Sequence, residues 1–246
     1  MDTKQQLPNK VITDSDSKVD PNQVSVQIVE HVAEAENDND ESDNGALALE
    51  MMENAFAIYD LNVNNEEGSE PSPYRDWMGH QIPRVLTGIG DVLEFQGKHG
   101  DAVDAFTRAI PYRERQLDSC KQLNTLTELK CQRLLTESFV LVCEALLRCP
   151  KDQDVRTTET GDVLVKANER ADFVRGYYDK ARDELQETVF LMAKIAASGT
   201  DMGTEKEDIC FLSTMLMAVG QDLAELDEAN SANMWQPPLK KSKKET

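Results

Sequence analysis

The amino-acid sequence predicts an all-α protein, and three observations carry this prediction. Apolar residues recur at helical spacing along most of the chain between residues 46 and 226. No segment shows the turn-bounded alternation of apolar and polar residues that is typical of successive strands. Small and large residues also recur in a pattern expected where two antiparallel helices cross closely. We therefore expect packed helical hairpins.

The first three helices follow from the apolar periodicity and its breaks. We predict a first helix over residues 46–60, capped by Asp43 or Asn44. A second helix ends near residue 96 and starts either at residue 74 or at Pro83. A third runs from Asp101, its predicted N-cap, to beyond residue 117. Pro111 is expected to kink this helix or to end it early.

The second half of the chain continues the same pattern. Helical periodicity extends to Cys149, with or without a break near residues 118–126, and Pro150 ends it. Residues 151–162 are predicted to be a loop, and a last helix is predicted over residues 209–226 after a break at residues 199–203. Between them, residues 163–197 are periodic, and one helical face collects Phe173, Tyr177, Ala181, Leu185, Val189, Met192 and Ile195.

The charge balance favours a basic partner. The 246 residues include 26 basic and 46 acidic side chains, for a formal net charge of −20. This disfavours direct nucleic-acid binding, which needs a basic face to displace counterions, and favours basic proteins such as histones. The alternative is that the acidity only confers solubility.

The negative charge is concentrated near the N-terminus. No Lys or Arg occurs between residues 19 and 74, and acidic residues are densest in residues 34–43. Because like charges at this density repel and no apolar face accompanies them, we predict a disordered acidic segment over residues 1–44. A helical domain over residues 45–230 and a disordered basic tail over residues 231–246 complete the predicted organisation.

Several function classes are disfavoured. The five cysteines form no CxxC pair, and no apolar run resembles a signal peptide or a membrane span, so we expect free thiols in a reducing compartment. The three histidines lack zinc-like spacing. No nucleophile–base pair, glycine-rich phosphate loop or metal cluster is recognisable. We therefore expect neither enzymatic activity nor a cofactor or metal.

One stretch carries a repeat signal. Gly90 is followed by Ala102, Phe106 and Ala109 at offsets of 12, 16 and 19 residues. The small residues would let two helices approach, while the phenylalanine would fill the gap to the next helix. The span 83–116 has the 34-residue length of a tetratricopeptide repeat. The alternative is an ordinary helical hairpin in which the small residues coincide.

One such repeat needs neighbours, because it does not bury its own apolar face. The helix ending at residue 60 should pack in front of it and the helix containing residues 133–138 behind it. The distance from Gly90 to Cys143 exceeds a standard repeat, which an elongated second helix would explain.

The order of these features resembles the SHNi-type tetratricopeptide histone chaperones, the NASP family. The resemblance covers residues 34–148 and the tail, and it rests on the acidic segment followed by segments 48–55, 90–94, 101–106 and 133–138. The chain departs from the family pattern before the acidic segment, where a complete repeat and half of another are expected. It also departs after Phe106, where the connection is longer, and over residues 151–170, which interrupt an expected helix.

The resemblance implies binding of core histones of types three and four and their delivery for chromatin assembly, in the nucleus and also in the cytoplasm. Repeats of this kind bind along the first helix of each hairpin, which would place Arg84, Thr87, Asp91, Glu94 and Phe95, and then Glu137, Val140, Glu144 and Arg148, in the groove. The implied histone-binding residues are Glu34, Glu36, Asp38, Asp40, Glu41, Asp43, Asp91, Glu94, Glu137 and Glu144. The implied nuclear signal is Lys240, Lys241, Lys243 and Lys244.

The alternative function is a tetratricopeptide adaptor for a peptide of another protein. Adaptors that clamp a terminal carboxylate use Lys, Arg and Asn in the groove, whereas the predicted groove positions here are largely acidic. Core histones are the expected partners. Other histone chaperones and a second copy of the chain are further candidates, and neither nucleic acid nor a membrane is expected.

Overall fold

A computed structural model describes residues 41–64, 73–157 and 163–234, and it is mostly helical, as the periodicity predicted. The described helices are α1 (Glu41–Asn64), α2 (Pro73–Phe95), α3 (His99–Cys120), α4 (Leu126–Arg148), α5 (Arg170–Ala197) and α6 (Glu205–Met234). A 3-10 turn (Ala167–Glu169) precedes α5. Every contact described below lies within the compact unit that begins at Gly45.

From α2 to α5, each helix packs on the next one along the chain. The α2–α3, α3–α4 and α4–α5 pairs share the most extensive contacts, and α6 lies against both α4 and α5. Residues 96–98 and 121–125 are the short connections around α3, so consecutive helices are antiparallel and α2 runs in the same direction as α4. This shared direction matters for the candidate site below.

The core lies between these layers. Phe106, Val103 and Leu146 are among its largest fully buried side chains. A smaller apolar cluster around Ile82 and Leu86 receives partly buried side chains of α1, among them Phe56, Tyr59 and Val63. The helix that ends after residue 60 therefore does pack in front of α2 and α3, as predicted.

Two local predictions about prolines were wrong or imprecise. Pro83 lies inside α2, which already begins at Pro73, so the earlier of the two predicted starts is nearer the observed one. Pro111 lies inside α3, and the helix continues to Cys120. The neighbours of Pro111, Ala109 and Ile110, are fully buried, so tertiary packing maintains the helix across the missing N–H.

The predicted N-cap of α3 was also wrong. The helix begins at His99 with Lys98 before it, so Asp101 lies in the first turn rather than at the cap. There its carboxylate still complements the helix dipole. The first helix likewise begins at Glu41, ahead of the predicted cap at Asp43 or Asn44.

A β-hairpin corrects the expectation of an entirely helical chain. Strand β1 (Val155–Thr157) pairs antiparallel with β2 (Val163–Val165), with Val155 opposite Val165. Both of these valines are buried, and β1 packs against α3. Residues 151–162 were expected to be a loop, but β1 lies within them. Residue 163 was expected to begin a helix, but it begins β2, and α5 starts only at Arg170.

Arg170 holds the loop that connects α4 to β1 against the start of α5. Its guanidinium donates to the carbonyl of Cys149 at 2.7 Å, to that of Pro150 at 2.8 Å, and to that of Gln153. These carbonyls follow the end of α4, where intrahelical donors run out. One buried arginine thus joins the C-terminus of α4 to the N-terminus of α5.

The turn between α3 and α4 is built around Glu128. Its carboxylate accepts hydrogen bonds from the backbone N–H groups of Gln122 (2.8 Å) and Asn124 (2.6 Å), both of which have positive φ. Thr125 caps α4 by accepting from the N–H of Glu128 at 3.2 Å. These hydrogen bonds stabilise a turn over residues 121–125 and the start of α4. The periodicity had left open whether a break occurs near residues 118–126, and the structure shows that it does.

Helix α6 has a segment, residues 205–228, whose length and hydropathy would suffice to cross a membrane. The sequence was expected to contain no such segment. Ile209, Leu212, Leu216 and Val219 of this helix are buried in the core clusters. Its opposite face leaves Phe211 and Met217 largely exposed.

Candidate functional site

A cleft of the described chain lies between α2 and α4, with α3 beneath it. Its volume is about 400 Å³. Seven of its ten lining residues have polar or charged side chains, and leucine side chains and the stems of the longer residues add apolar surface. The lining residues are Arg84, Thr87, Gly88 and Asp91 of α2, Arg113 of α3, and Lys130, Leu134, Glu137, Ser138 and Leu141 of α4.

Helical spacing explains why these positions share a face. On α2 the lining positions are 84, 87, 88 and 91, and on α4 they are 130, 134, 137, 138 and 141. These intervals of three, four and seven residues repeat on one side of a helix. The hydroxyls of Thr87 and Ser138 donate to the carbonyls of Pro83 (2.8 Å) and Leu134 (3.0 Å), so these donors are used within their own helices.

Two of the predicted carboxylates meet in this cleft. Asp91 keeps an exposed surface, but partial burial and, more weakly, the negative charges of Glu137 and Glu94 together raise the pKa of its carboxyl to about 6. Burial likewise raises the pKa of Glu137, although Arg133 and Arg113 oppose that shift. Asp91 makes no ion pair within the described residues, so the cleft holds a carboxylate whose ionised form is disfavoured.

The partner of Glu137 belongs to a separate network. Arg133 donates to Glu137 at 3.2 Å and to Glu205 at 2.7 Å, and it approaches Asp208 at 3.6 Å. Glu205 and Asp208 lie in the first turn of α6. This network ties α4 to the start of α6 and holds the backbone carrying Glu137 in place.

The cleft also contains cations that the sequence did not point to. Arg113 is only 5% exposed, and burial lowers the pKa of its guanidinium to about 10. Its one recorded hydrogen bond is a long one, 3.4 Å, to Gln116, and its Nε is buried without a hydrogen-bond partner within the described residues. Arg84 and Lys130 are exposed at the rim of the same cleft.

The other two predicted carboxylates lie outside the lining of this cleft. Arg148 donates to Glu94 at 2.7 Å and to Glu144 at 3.2 Å, and Glu94 also contacts His99 at 2.9 Å. Burial raises the pKa of Glu144, with the negative charges of Glu94 and Asp222 adding to the rise against Arg148. Arg148 of α4 thus links α4 to α2 through Glu94, and its positive charge partly neutralises both carboxylates.

The remaining predicted groove positions divide clearly. Phe95 is 80% exposed at the end of α2, whereas Val140 is fully buried in the core, so its assignment to the groove was wrong. Val140 lies one residue before Leu141, which does line the cleft, so the predicted face of α4 was rotated by about one position.

Several predicted site residues lie outside the described parts of the chain. Glu41 and Asp43 fall in the first turn of α1, where only the backbone is described. The positions outside the described residues are Glu34, Glu36, Asp38, Asp40, Lys240, Lys241, Lys243 and Lys244.

Arg113, Lys130 and Leu141 were the main residues of the cleft that sequence reasoning missed. A signal for Arg113 exists, because it continues the buried face of α3 defined by Ala102, Phe106 and Ala109 at helical spacing. A charged residue on an apolar face is the kind of exception that marks a functional position.

Among the described residues, no group of three or more His, Cys, Asp and Glu side chains could hold a metal ion. Searches of known protein families, curated proteins and solved structures gave no match to the chain. The assignment of a function therefore depends on the cleft itself.

Proposed function

We propose that the chain is a histone chaperone whose α2–α4 cleft receives a basic segment of a core histone of type three or four. The observation that carries the proposal is the pair Asp91 and Glu137. The pKa of each carboxyl is raised above its ordinary value, and the negative charge of Glu137 contributes to the shift at Asp91. An ammonium or guanidinium group from a partner would relieve this repulsion.

The charge of the whole chain supports a basic partner. With a net charge of −20 and the acidic segment at residues 34–43, the chain attracts cationic proteins over a distance of about 8 Å at physiological ionic strength. The basic tail containing residues 240–244 supports nuclear delivery of such a complex. The proposal concerns binding and transfer, with no catalytic step.

The finer fold proposal is that α2 and α3 form a tetratricopeptide repeat. A Cβ built on Gly90 would meet the ring of Phe106 at 2.2 Å, so the small residue lets α2 approach α3, and this close approach supports the proposal. Ala102 and Ala109 are fully buried on the same helical face. α1 and α4 lie on either side of the α2–α3 hairpin, which is the neighbour arrangement that a repeat needs.

The proposal is tested with a double variant, Asp91→Asn with Glu137→Gln, in the full chain. Binding to a fluorescently labelled tetramer of histone types three and four should weaken about tenfold, because the basic side chains of the histone lose two carboxylate partners. The matched control is Asp118→Asn with Glu53→Gln, which removes the same charge at two exposed positions outside the cleft. Equal affinity of the two double variants would refute the cleft as the histone site.

A peptide adaptor remains the second candidate, and the cations of the cleft favour it. Arg84, Arg113 and Lys130 would suit an acidic side chain or a terminal carboxylate. An adaptor without histone activity should bind the histone tetramer no better than an unrelated acidic protein does at physiological salt. The same titration therefore separates the two functions.

A further inference from the structure

We infer that the α2–α4 cleft recognises a peptide segment that carries an acidic group and a basic group about 10 Å apart. The acidic group would bind at the Arg84, Arg113 and Lys130 end, and the basic group at Asp91 and Glu137. The inference rests on the proposed function, since it names which kind of segment the proposed site selects.

The two ends of the cleft follow from the direction of the helices. α2 and α4 run in the same direction, and each presents a cation and, seven residues later, a carboxylate: Arg84 then Asp91, and Lys130 then Glu137. Seven residues of α-helix rise about 10.5 Å. The two helices therefore present cations together at one end of the cleft and carboxylates together at the other.

Arg113 strengthens the case for an acidic group. It comes from α3, lies in the electrostatic range of both Arg84 and Glu137, and is nearly fully buried. The other arginine with a partnerless buried Nε, Arg170, donates to three backbone carbonyls through its remaining nitrogens, and its role is complete within the fold. Within the described residues Arg113 makes one hydrogen bond, the long one to Gln116, and no ion pair, so its positive charge adds to that of Arg84 and Lys130 in the cleft.

A ligand of one sign would leave half of the cleft unsatisfied. A purely basic segment would pair Asp91 and Glu137 but bring further positive charge towards Arg84 and Arg113. A purely acidic segment would do the reverse. Like charges brought together in the cleft repel each other and weaken binding, and the same repulsion discriminates against partners of the wrong pattern. A segment with both charges at the matching separation satisfies the two ends together.

The separation fixes the probes. An extended peptide spans about 10 Å in three residues, and a helical peptide spans it in seven. The probes are fluorescein-labelled, acetylated and amidated 16-residue peptides of Ala, Ser and Gln, carrying Glu and Lys–Arg at either spacing and in either order. Matched peptides carry Gln in place of Glu, or Gln–Gln in place of Lys–Arg.

Binding is measured by fluorescence anisotropy with the full-length chain and with the variant Arg84→Gln, Lys130→Gln. Both side chains are exposed, so the variant should fold. At least one peptide with both charges should bind the wild-type chain three- to tenfold more tightly than its Glu-to-Gln partner. The variant should bind those two peptides equally, because the acidic group has lost its site. The control variant Lys98→Gln, Lys206→Gln loses the same charge outside the cleft and should retain the discrimination.

Three outcomes would overturn the inference. They are equal binding of the Glu and Gln peptides by the wild-type chain, discrimination that persists in the Arg84→Gln, Lys130→Gln variant, and no binding of any probe with both charges. Failure of the proposed function has a different signature, since it leaves histone-tetramer binding unaltered by Asp91→Asn with Glu137→Gln. A cleft that binds Gln-containing basic peptides through Asp91 would preserve the proposed function and refute only this inference.

Discussion

Gly90 lies where α2 packs closely on Phe106 of α3, and its replacement by alanine is a sharp test of the fold. The added Cβ would lie 2.2 Å, 2.5 Å and 2.6 Å from three ring carbons of Phe106. Ordinary carbon–carbon contacts lie at about 3.5–4.0 Å, so the nearest distance is too short by roughly 1.3 Å. The ring is 1% exposed in the main core and has no solvent-facing space to move into.

The expected loss of stability follows from two opposing effects. Overpacking a well-packed core costs about 1–3 kcal/mol. Replacing a helical glycine by alanine returns up to about 1 kcal/mol through backbone entropy. Gly90→Ala should therefore lower the free energy of unfolding by about 1–2 kcal/mol. Gly79 lies in the same helix, and a Cβ there would meet nothing within 4 Å. Gly79→Ala should raise it by about 0.5–1 kcal/mol.

Urea unfolding followed by circular dichroism measures both variants against the wild-type chain. A second pair, Phe106→Leu alone and combined with Gly90→Ala, tests the cause. If the ring is the obstacle, the alanine should cost at least about 1 kcal/mol less in the leucine background. Equal stability of Gly90→Ala and Gly79→Ala would refute the assigned packing of α2 on α3.

Three further predictions concern other parts of the chain. Replacing the acidic residues of 34–43 by Asn, Gln and Ser should lower the association rate with a histone tetramer about tenfold at low salt and change the dissociation rate little. Stopped-flow fluorescence measures both rates, and an unaltered association rate would contradict the prediction. Removing residues 239–246 from a fusion too large for passive entry should shift it from nucleus to cytoplasm by microscopy, and nuclear retention would exclude the tail as the signal. Arg170→Met should lower the free energy of unfolding by about 2–4 kcal/mol in urea titrations, because three carbonyls lose a charged donor; a loss under about 0.5 kcal/mol would show that the contacts are dispensable.

The helical fold could be predicted from the sequence because its signal is local. Apolar residues at helical spacing indicate the helices, and the pair Gly90 and Phe106 indicates the close packing of α2 on α3. Errors arose where packing against distant residues decides the outcome. Pro111 stays within α3 because its neighbours are buried. On α5, Val189 was expected on the apolar face but is 42% exposed, and its neighbour Thr188 is buried. The Thr188 hydroxyl donates to the Glu184 carbonyl at 2.7 Å, which makes its burial inexpensive.

The candidate site was predictable only in part. Helical spacing placed Asp91 and Glu137 on faces that do meet, since each helix of a hairpin stack presents one face to its neighbours. The sequence did not show that Arg148 would bind Glu94 as well as its own-helix neighbour Glu144, because Arg148 and Glu94 are 54 residues apart. The mixed charge of the cleft depends on three helices and emerges only once they are assembled.

Asp91 provides the last prediction, because its charge should oppose stability while serving binding. Its folded-state pKa of about 6 lies above the unfolded value of about 4. Between these values the folded chain retains a proton that the unfolded chain has released, so this residue's contribution to stability falls as pH rises from about 4 to 6. Above pH 6 the carboxylate is ionised in both states and its destabilising effect is complete.

Asp91→Asn removes this titration. Relative to the exposed control Asp118→Asn, the variant should be more stable to urea at pH 7.5, and its advantage should shrink as the pH is lowered to 5. The sign follows from the raised pKa, since a carboxylate that made a net favourable contact would have a lowered one. A variant less stable than the control at pH 7.5 would show that Asp91 already has a stabilising partner in the free chain. If instead the variant is more stable but binds a basic peptide more weakly, the ionised Asp91 costs folding stability and contributes to binding, as expected of a residue whose partner is the ligand.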